Sequence, residues 1–127
     1  MAKVIINTPD APAAIGPYSQ AVKVGNLIYT SGQIPIDPRT GEVVAGDVKD
    51  QTKQVLQNLE AVLKAGGSSL GKVIKATLFI RDMNRFADIN GVYGEFFAEQ
   101  PPVRSTVEVA RLPKDVEIEI EVIAECI

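Results

Sequence analysis

The residues with the greatest chemical reach lie in the last quarter of the chain. Arg104, Thr106 and Glu108 alternate with Val107 and Val109, and Glu117, Glu119 and Glu121 alternate with Ile118, Ile120 and Val122. In an extended strand this spacing gathers each set on one face. If the two strands pair as a hairpin with their apolar faces aligned, Arg104 shares a face with the three glutamates. A guanidinium can grip a carboxylate through two parallel N–H bonds, and a nearby carboxylate can orient a water. The alternative is a solvated face of exposed ion pairs, which contribute little.

Three other positions carry polar groups where apolar ones dominate. Asn90 sits in the apolar stripe of a predicted helix, between Phe86 and Tyr93. Its amide either satisfies nearby backbone groups or looks into a pocket. Gly16-Pro17-Tyr18-Ser19-Gln20 and Ser31-Gly32-Gln33-Ile34-Pro35 interrupt the chain beside predicted strands. They either offer N–H groups and hydroxyls to a ligand or serve as turns.

Composition removes whole classes of chemistry. The chain has no histidine and a single cysteine, Cys126. An imidazole or multi-thiolate zinc site, a Ser-His-Asp or Cys-His triad and an intramolecular disulfide are all excluded. Cys126 has neither a helix N-terminus nor a basic cluster to activate it, and reads as an incidental thiol. The 13 Lys and Arg residues are scattered among 16 acids, for a formal charge of −3, which argues against a nucleic-acid partner. The opening Met-Ala-Lys-Val-Ile-Ile-Asn lacks a signal-peptide core, and no apolar run approaches the roughly 20 residues that span a bilayer. A cytoplasmic protein without a membrane partner is expected.

The elements that must position these residues follow from periodicity. At 127 residues and 46% apolar content, the chain fits one domain with a real core. Val22 to Thr30 reads as two strands about the turn Gly25-Asn26, and Pro35, Pro38 and Gly41 break the next stretch into a loop. Asp47 to Ala65 is a helix capped by Asp47, with Val48, Val55, Leu59 and Val62 inward and Gly66-Gly67 as the stop. Val73 to Ile80 is a strand, with Ile74, Ala76, Leu78 and Ile80 on one face and Val73, Lys75, Thr77 and Phe79 on the other. A second helix runs from Asn84 to Phe97, followed by strands over Arg104–Ala110 and Val116–Ala124. The β-β-α-β-α-β-β order predicts an α+β fold, a single mixed sheet with two helices packed on one face. The opposite face, half apolar, calls for burial in a homo-oligomer.

Gly16-Pro17-Tyr18-Ser19-Gln20-Ala21, Ser31-Gly32-Gln33-Ile34-Pro35, Arg104-Ser105-Thr106-Val107-Glu108-Val109-Ala110-Arg111-Leu112-Pro113 and Ile118-Glu119-Ile120-Glu121 resemble the signature stretches of the RidA (YjgF) family of reactive imine/enamine deaminases. The resemblance runs over essentially all of residues 1–127 and implies a single RidA-like domain of chorismate-mutase-like fold. It further implies a homotrimer with ligand clefts between subunits. The implied reaction is cofactor-independent, metal-free hydrolysis of 2-imino or 2-enamino acids, such as 2-iminobutanoate and 2-iminopropanoate, to 2-keto acids and ammonia.

By position, the resemblance makes Arg104 the substrate-carboxylate clamp and Glu119 the residue holding the attacking water, with Tyr18, Ser31, Gly32, Asn90 and Thr106 lining the cleft. Thr106 stands where many members carry a cysteine. Pro101-Pro102-Val103 replaces a longer loop with an aromatic residue, a change that bears on pocket size. The rival function is a regulatory module that binds a keto acid or amino acid without turnover.

Overall fold

A computed structural model describes residues 2–126, and the expected order of elements is present with one strand ahead of it. Strands β1 (Val4–Ile6), β2 (Ala21–Val24) and β3 (Leu27–Thr30) form an antiparallel meander. The predicted loop carries a short ribbon, β4 (Ile36–Asp37) with β5 (Glu42–Val43). Helix α1 (Val48–Ala65), β6 (Val73–Ile80), α2 (Phe86–Phe96), β7 (Val103–Glu108) and β8 (Ile118–Glu125) complete the chain. The main sheet runs β1-β2-β3-β8-β6-β7. Its only parallel pair is β6 with β7, because α2 carries the chain back across the sheet between them. Among the described residues, no helix is long and apolar enough to cross a membrane.

Helix α1 begins where the sequence marks it. The Asp47 carboxylate accepts from the N–H groups of Lys49 and Asp50, and the Asp50 carboxylate accepts from the Asp47 N–H, a reciprocal cap. Val55, Leu56, Leu59, Val62 and Leu63 are fully buried, whereas Lys49, Lys53, Gln57 and Lys64 face solvent. The helix ends on Gly66, where a Cβ would stand 2.6 Å from Ile6 Cδ1 and 2.7 Å from Ile28 Cδ1. The missing side chain lets the end of α1 settle directly on the sheet.

Two expectations are corrected by strand register. Val73 is buried and Ile74 is exposed, the reverse of the predicted faces. Between the pairs Val73↔Ala124 and Lys75↔Ile123, β6 advances two residues while β8 advances one. This bulge inverts the alternation at the start of β6. The second correction concerns the last two strands, which do not form a hairpin because β6 lies between them. Ala76 pairs with Arg104 on one side and Val122 on the other, Leu78 with Thr106 and Ile120, and Phe79 with Val107 and Glu119. Paired residues share a face, so Arg104 and Thr106 lie on the helix-covered side. Glu119 and Glu121 lie on the bare side.

Across that bare face runs a cross-strand row of Ile5, Val22, Tyr29, Ile123, Lys75 and Val103. Ile5, Tyr29 and Val103 remain 53%, 44% and 67% exposed, so the row is apolar without being covered.

One buried amide ties the N-terminal segment to the sheet. Gln20 Oε1 accepts from the Thr8 N–H at 2.7 Å, and Nε2 donates to the carbonyls of Thr8 at 3.1 Å and Pro12 at 2.8 Å. Gln20→Ala would strand these buried backbone groups and lower the unfolding free energy by about 2 kcal/mol. Urea denaturation reads this directly, and an unchanged midpoint would contradict it.

Candidate functional site

Arg104 lies on the edge strand β7, and helix α2 builds its surroundings. Phe86, Asn90 and Tyr93 recur at helical spacing and present one stripe to the strand. The guanidinium carbon stands 5.2 Å from the centroid of the Phe86 ring and 4.9 Å from that of Tyr93. Nη1 donates to Asn90 Oδ1 at 2.7 Å. Among the described residues its other N–H groups have no hydrogen-bond partner, and no carboxylate lies within 4.0 Å. A half-exposed cation held by aromatic faces, with no counter-ion, is a receptor for an external anion.

Two hydroxyls near this cation are buried without a hydrogen-bond partner: Tyr93 Oη and Thr106 Oγ1. Burial pushes the Tyr93 phenol above its ordinary value, and the Arg104 charge opposes that shift. Desolvation is the larger effect, so the ring stays neutral at physiological pH.

Glu119 occupies a separate setting on the bare face. The β3–β8 pairing ends at Tyr29↔Ile123 and resumes at Gln33↔Ile120, so the β3 side spans four residues and the β8 side three. The Thr30 hydroxyl accepts from the Val122 N–H at 3.0 Å and bridges this bulge. Gly32 stands at its crest, where a Cβ would fall 2.2 Å from Glu119 Oε2. The carboxylate therefore fills the space that a side chain at position 32 would need. Burial raises its pKa, and the charge of Glu121 on the same face raises it further.

Tyr18 and Ser31 complete this second group. They line one cavity of about 370 Å³ with Pro17, Ser19, Tyr29 and Thr30. The Ser31 hydroxyl donates to the Ser19 carbonyl at 2.5 Å, and the Tyr18 hydroxyl accepts from the Ile15 N–H at 3.3 Å.

The predicted site residues thus fall into two clusters. Arg104, Asn90 and Thr106 gather on the helix side, and Tyr18, Ser31, Gly32 and Glu119 gather on the bare side. Asn90, expected in the apolar stripe, is exposed and serves the Arg104 guanidinium instead. Phe86 and Tyr93 were read only as core; their spacing about Asn90 was the available signal that they flank a functional group. Among the described residues, no cluster of His, Cys, Asp and Glu could hold a metal ion.

Known proteins bear on this arrangement. The profile of the family described as Endoribonuclease L-PSP matches residues 8–126. The chain is 61% identical over 122 residues to a RutC family protein of Pyrococcus horikoshii, covering 96% of this chain and 97% of that one. It is 56% identical over 122 residues to the 2-iminobutanoate/2-iminopropanoate deaminase of Escherichia coli K12, covering 94% of each. The crystal structure of E. coli TdcF with bound serine superposes with a TM-score of 0.91 at 54% identity, covering 95% of this chain and 97% of that one.

The contact between Gly32 and Glu119 yields a structural prediction. Gly32→Ala should fold normally, because the obstructing group is the free end of a side chain, but its crystal structure should show the Glu119 carboxylate displaced. An unmoved carboxylate would contradict this account of the bulge.

Proposed function

This chain belongs to the RidA (YjgF) family, whose profile carries the description Endoribonuclease L-PSP, and on that basis we propose that it hydrolyses short 2-imino and 2-enamino acids to 2-keto acids and ammonia. The observation that carries the reading is the uncompensated Arg104 guanidinium, fixed between two rings with donors to spare. A relative of 56% identity is named for this reaction, and the TdcF relative is titled as holding serine, an amino acid with the same carboxylate group.

In the proposed reaction Arg104 takes the substrate carboxylate and fixes the C=N carbon. Glu119 orients a water and accepts one of its protons as oxygen adds to that carbon. The nitrogen gains protons and leaves as ammonia, and the carbonyl of the keto acid replaces the imine. The raised pKa of Glu119 makes its carboxylate a stronger base than an ordinary one, as this step requires. Asn90 and the Thr106 hydroxyl line the carboxylate end of the cleft, and Tyr18, Ser31 and Gly32 line the water end. No cofactor or metal enters the scheme.

Opposite faces of one sheet cannot grip the same small molecule. We therefore assign each site to two subunits, with Arg104, Asn90 and Thr106 from one and Glu119 with its neighbours from the partner subunit. An interface that joins one face of a chain to a different face of the next is heterologous and closes as a ring. The homotrimer implied by the family resemblance has this form. The uncovered row through Ile5, Tyr29 and Val103 supports burial of the bare face in such a ring.

The ribonuclease of the family description has less support in this chain. It has no imidazole to move protons at a phosphate, and its acids outnumber its bases. In the binding-module reading, a keto acid would bind at Arg104 and no imine would be consumed.

The test generates 2-iminobutanoate in situ and follows the appearance of 2-oxobutanoate. Arg104→Ala should lower kcat/KM about 100-fold or more, since truncating one partner of a desolvated charge pair costs about 2–5 kcal/mol. Glu119→Gln should lower kcat about 100-fold or more. When the two inactive variants are unfolded together and refolded, some sites combine an intact Arg104 with an intact Glu119, and activity should return. No recovery would place both residues in one subunit, and wild-type rates in Arg104→Ala would end the deaminase reading.

The rate should also fall on acidification as Glu119 protonates, with an inflection above the ordinary carboxylate range. Because Glu121 raises the Glu119 pKa, Glu121→Gln should move that inflection to lower pH. An inflection that stays in place would remove Glu119 as the base.

A further inference from the structure

We infer that Phe86 and Tyr93 are positioning residues. Their ring faces clamp the Arg104 guanidinium in the plane and direction from which it takes a carboxylate. The inference rests on the reading of Arg104 as the carboxylate clamp and goes beyond it, by assigning the affinity of that clamp to two aromatic side chains of α2.

A guanidinium on an edge strand has a long flexible stem, and freezing such a side chain costs about 2 kcal/mol of rotamer entropy. Arg104 is held before any ligand arrives. The rings of Phe86 and Tyr93 stand 5.2 and 4.9 Å from its central carbon, and Asn90 Oδ1 takes one Nη1 hydrogen at 2.7 Å. These contacts fix position, plane and in-plane rotation together. The remaining N–H groups, unpartnered among the described residues, form the edge offered to a carboxylate.

Tyr93 is itself anchored. It is 5% exposed, and its ring lies 4.6 Å from that of Phe97. Its hydroxyl has no hydrogen-bond partner, so the ring face rather than the hydroxyl performs this role. A preorganised receptor spends less free energy on ordering when it binds. Removing a ring should therefore weaken carboxylate binding while leaving the Glu119 step largely intact.

The experiment compares Tyr93→Leu, Tyr93→Phe and Phe86→Leu with wild type in the intact oligomer, with circular dichroism and size checked for each. Titration with 2-oxobutanoate gives Kd, steady-state assays give KM and kcat for 2-iminobutanoate, and 15N relaxation of the Arg104 Nε–H without ligand gives side-chain order.

Tyr93→Leu and Phe86→Leu should raise Kd and KM about 3- to 30-fold, the range a partly desolvated cation–π contact supports, with a smaller change in kcat. The Arg104 Nε order parameter should drop. Tyr93→Phe, which keeps the ring, should stay within about twofold of wild type on every readout. If Tyr93→Leu fails to fold, Phe86→Leu carries the test from the other ring face. Unchanged Arg104 order in the Leu variants, or equal losses in Tyr93→Phe and Tyr93→Leu, would overturn the inference. A loosened guanidinium with unchanged Kd and KM would instead overturn the clamp reading itself.

Discussion

The architecture turns on the parity of strand β6. Because β6 lies between β7 and β8, a residue of β7 and one of β8 share a face only when both pair with β6 residues of the same parity. Arg104 pairs with Ala76 and Glu119 with Phe79, three residues apart, so the cation and the carboxylate emerge on opposite sides. No side-chain rotation can undo this, since moving either strand by one residue would turn its whole apolar set out of the core. A single chain therefore carries two half-sites that cannot meet within it.

Each half-site is held by a different device. On the helix side a stripe of α2 supplies two rings and an amide, and helix packing against the sheet fixes that stripe relative to β7. On the bare side the irregularity is in the backbone. β3 gains one residue over β8 between Tyr29 and Gln33, and Gly32, without a Cβ, leaves room for Glu119. Bulges beside sites of chemistry re-aim a side chain at small cost to the sheet. The partial burial that results pushes the carboxyl pKa upward, linking a local backbone defect to the acid–base character of Glu119.

Much of this fold was legible in the sequence because its elements obey strong periodic rules. Asp47, the buried stripe through Val55, Leu59 and Val62, and Gly66 specified α1 from cap to stop. The α+β class followed from element order, and the family followed from the Gly16–Ala21, Ser31–Pro35 and Arg104–Pro113 stretches. What failed was non-local. Strand alternation gives the two faces of each strand but not which strand pairs with which, so the hairpin of β7 with β8 was a natural error. The bulge at Val73–Lys75 likewise leaves no local mark. β1 is three residues long, too short for a period to register. Gln20 and Asn58 resembled turn and surface amides, yet both are buried. The Asn58 amide donates to the carbonyls of Ile34 at 3.2 Å and Ile36 at 2.9 Å, a contact across some two dozen residues.

The most direct test of the account is a crystal structure of the assembled protein with 2-oxobutanoate bound. The account predicts that the ligand carboxylate sits edge-on against the Arg104 guanidinium of one subunit. Its keto carbon then faces Glu119 of the partner subunit across an ordered water. A ligand bound away from Arg104, or bound at Arg104 with no glutamate of another subunit within reach of its keto carbon, would contradict it.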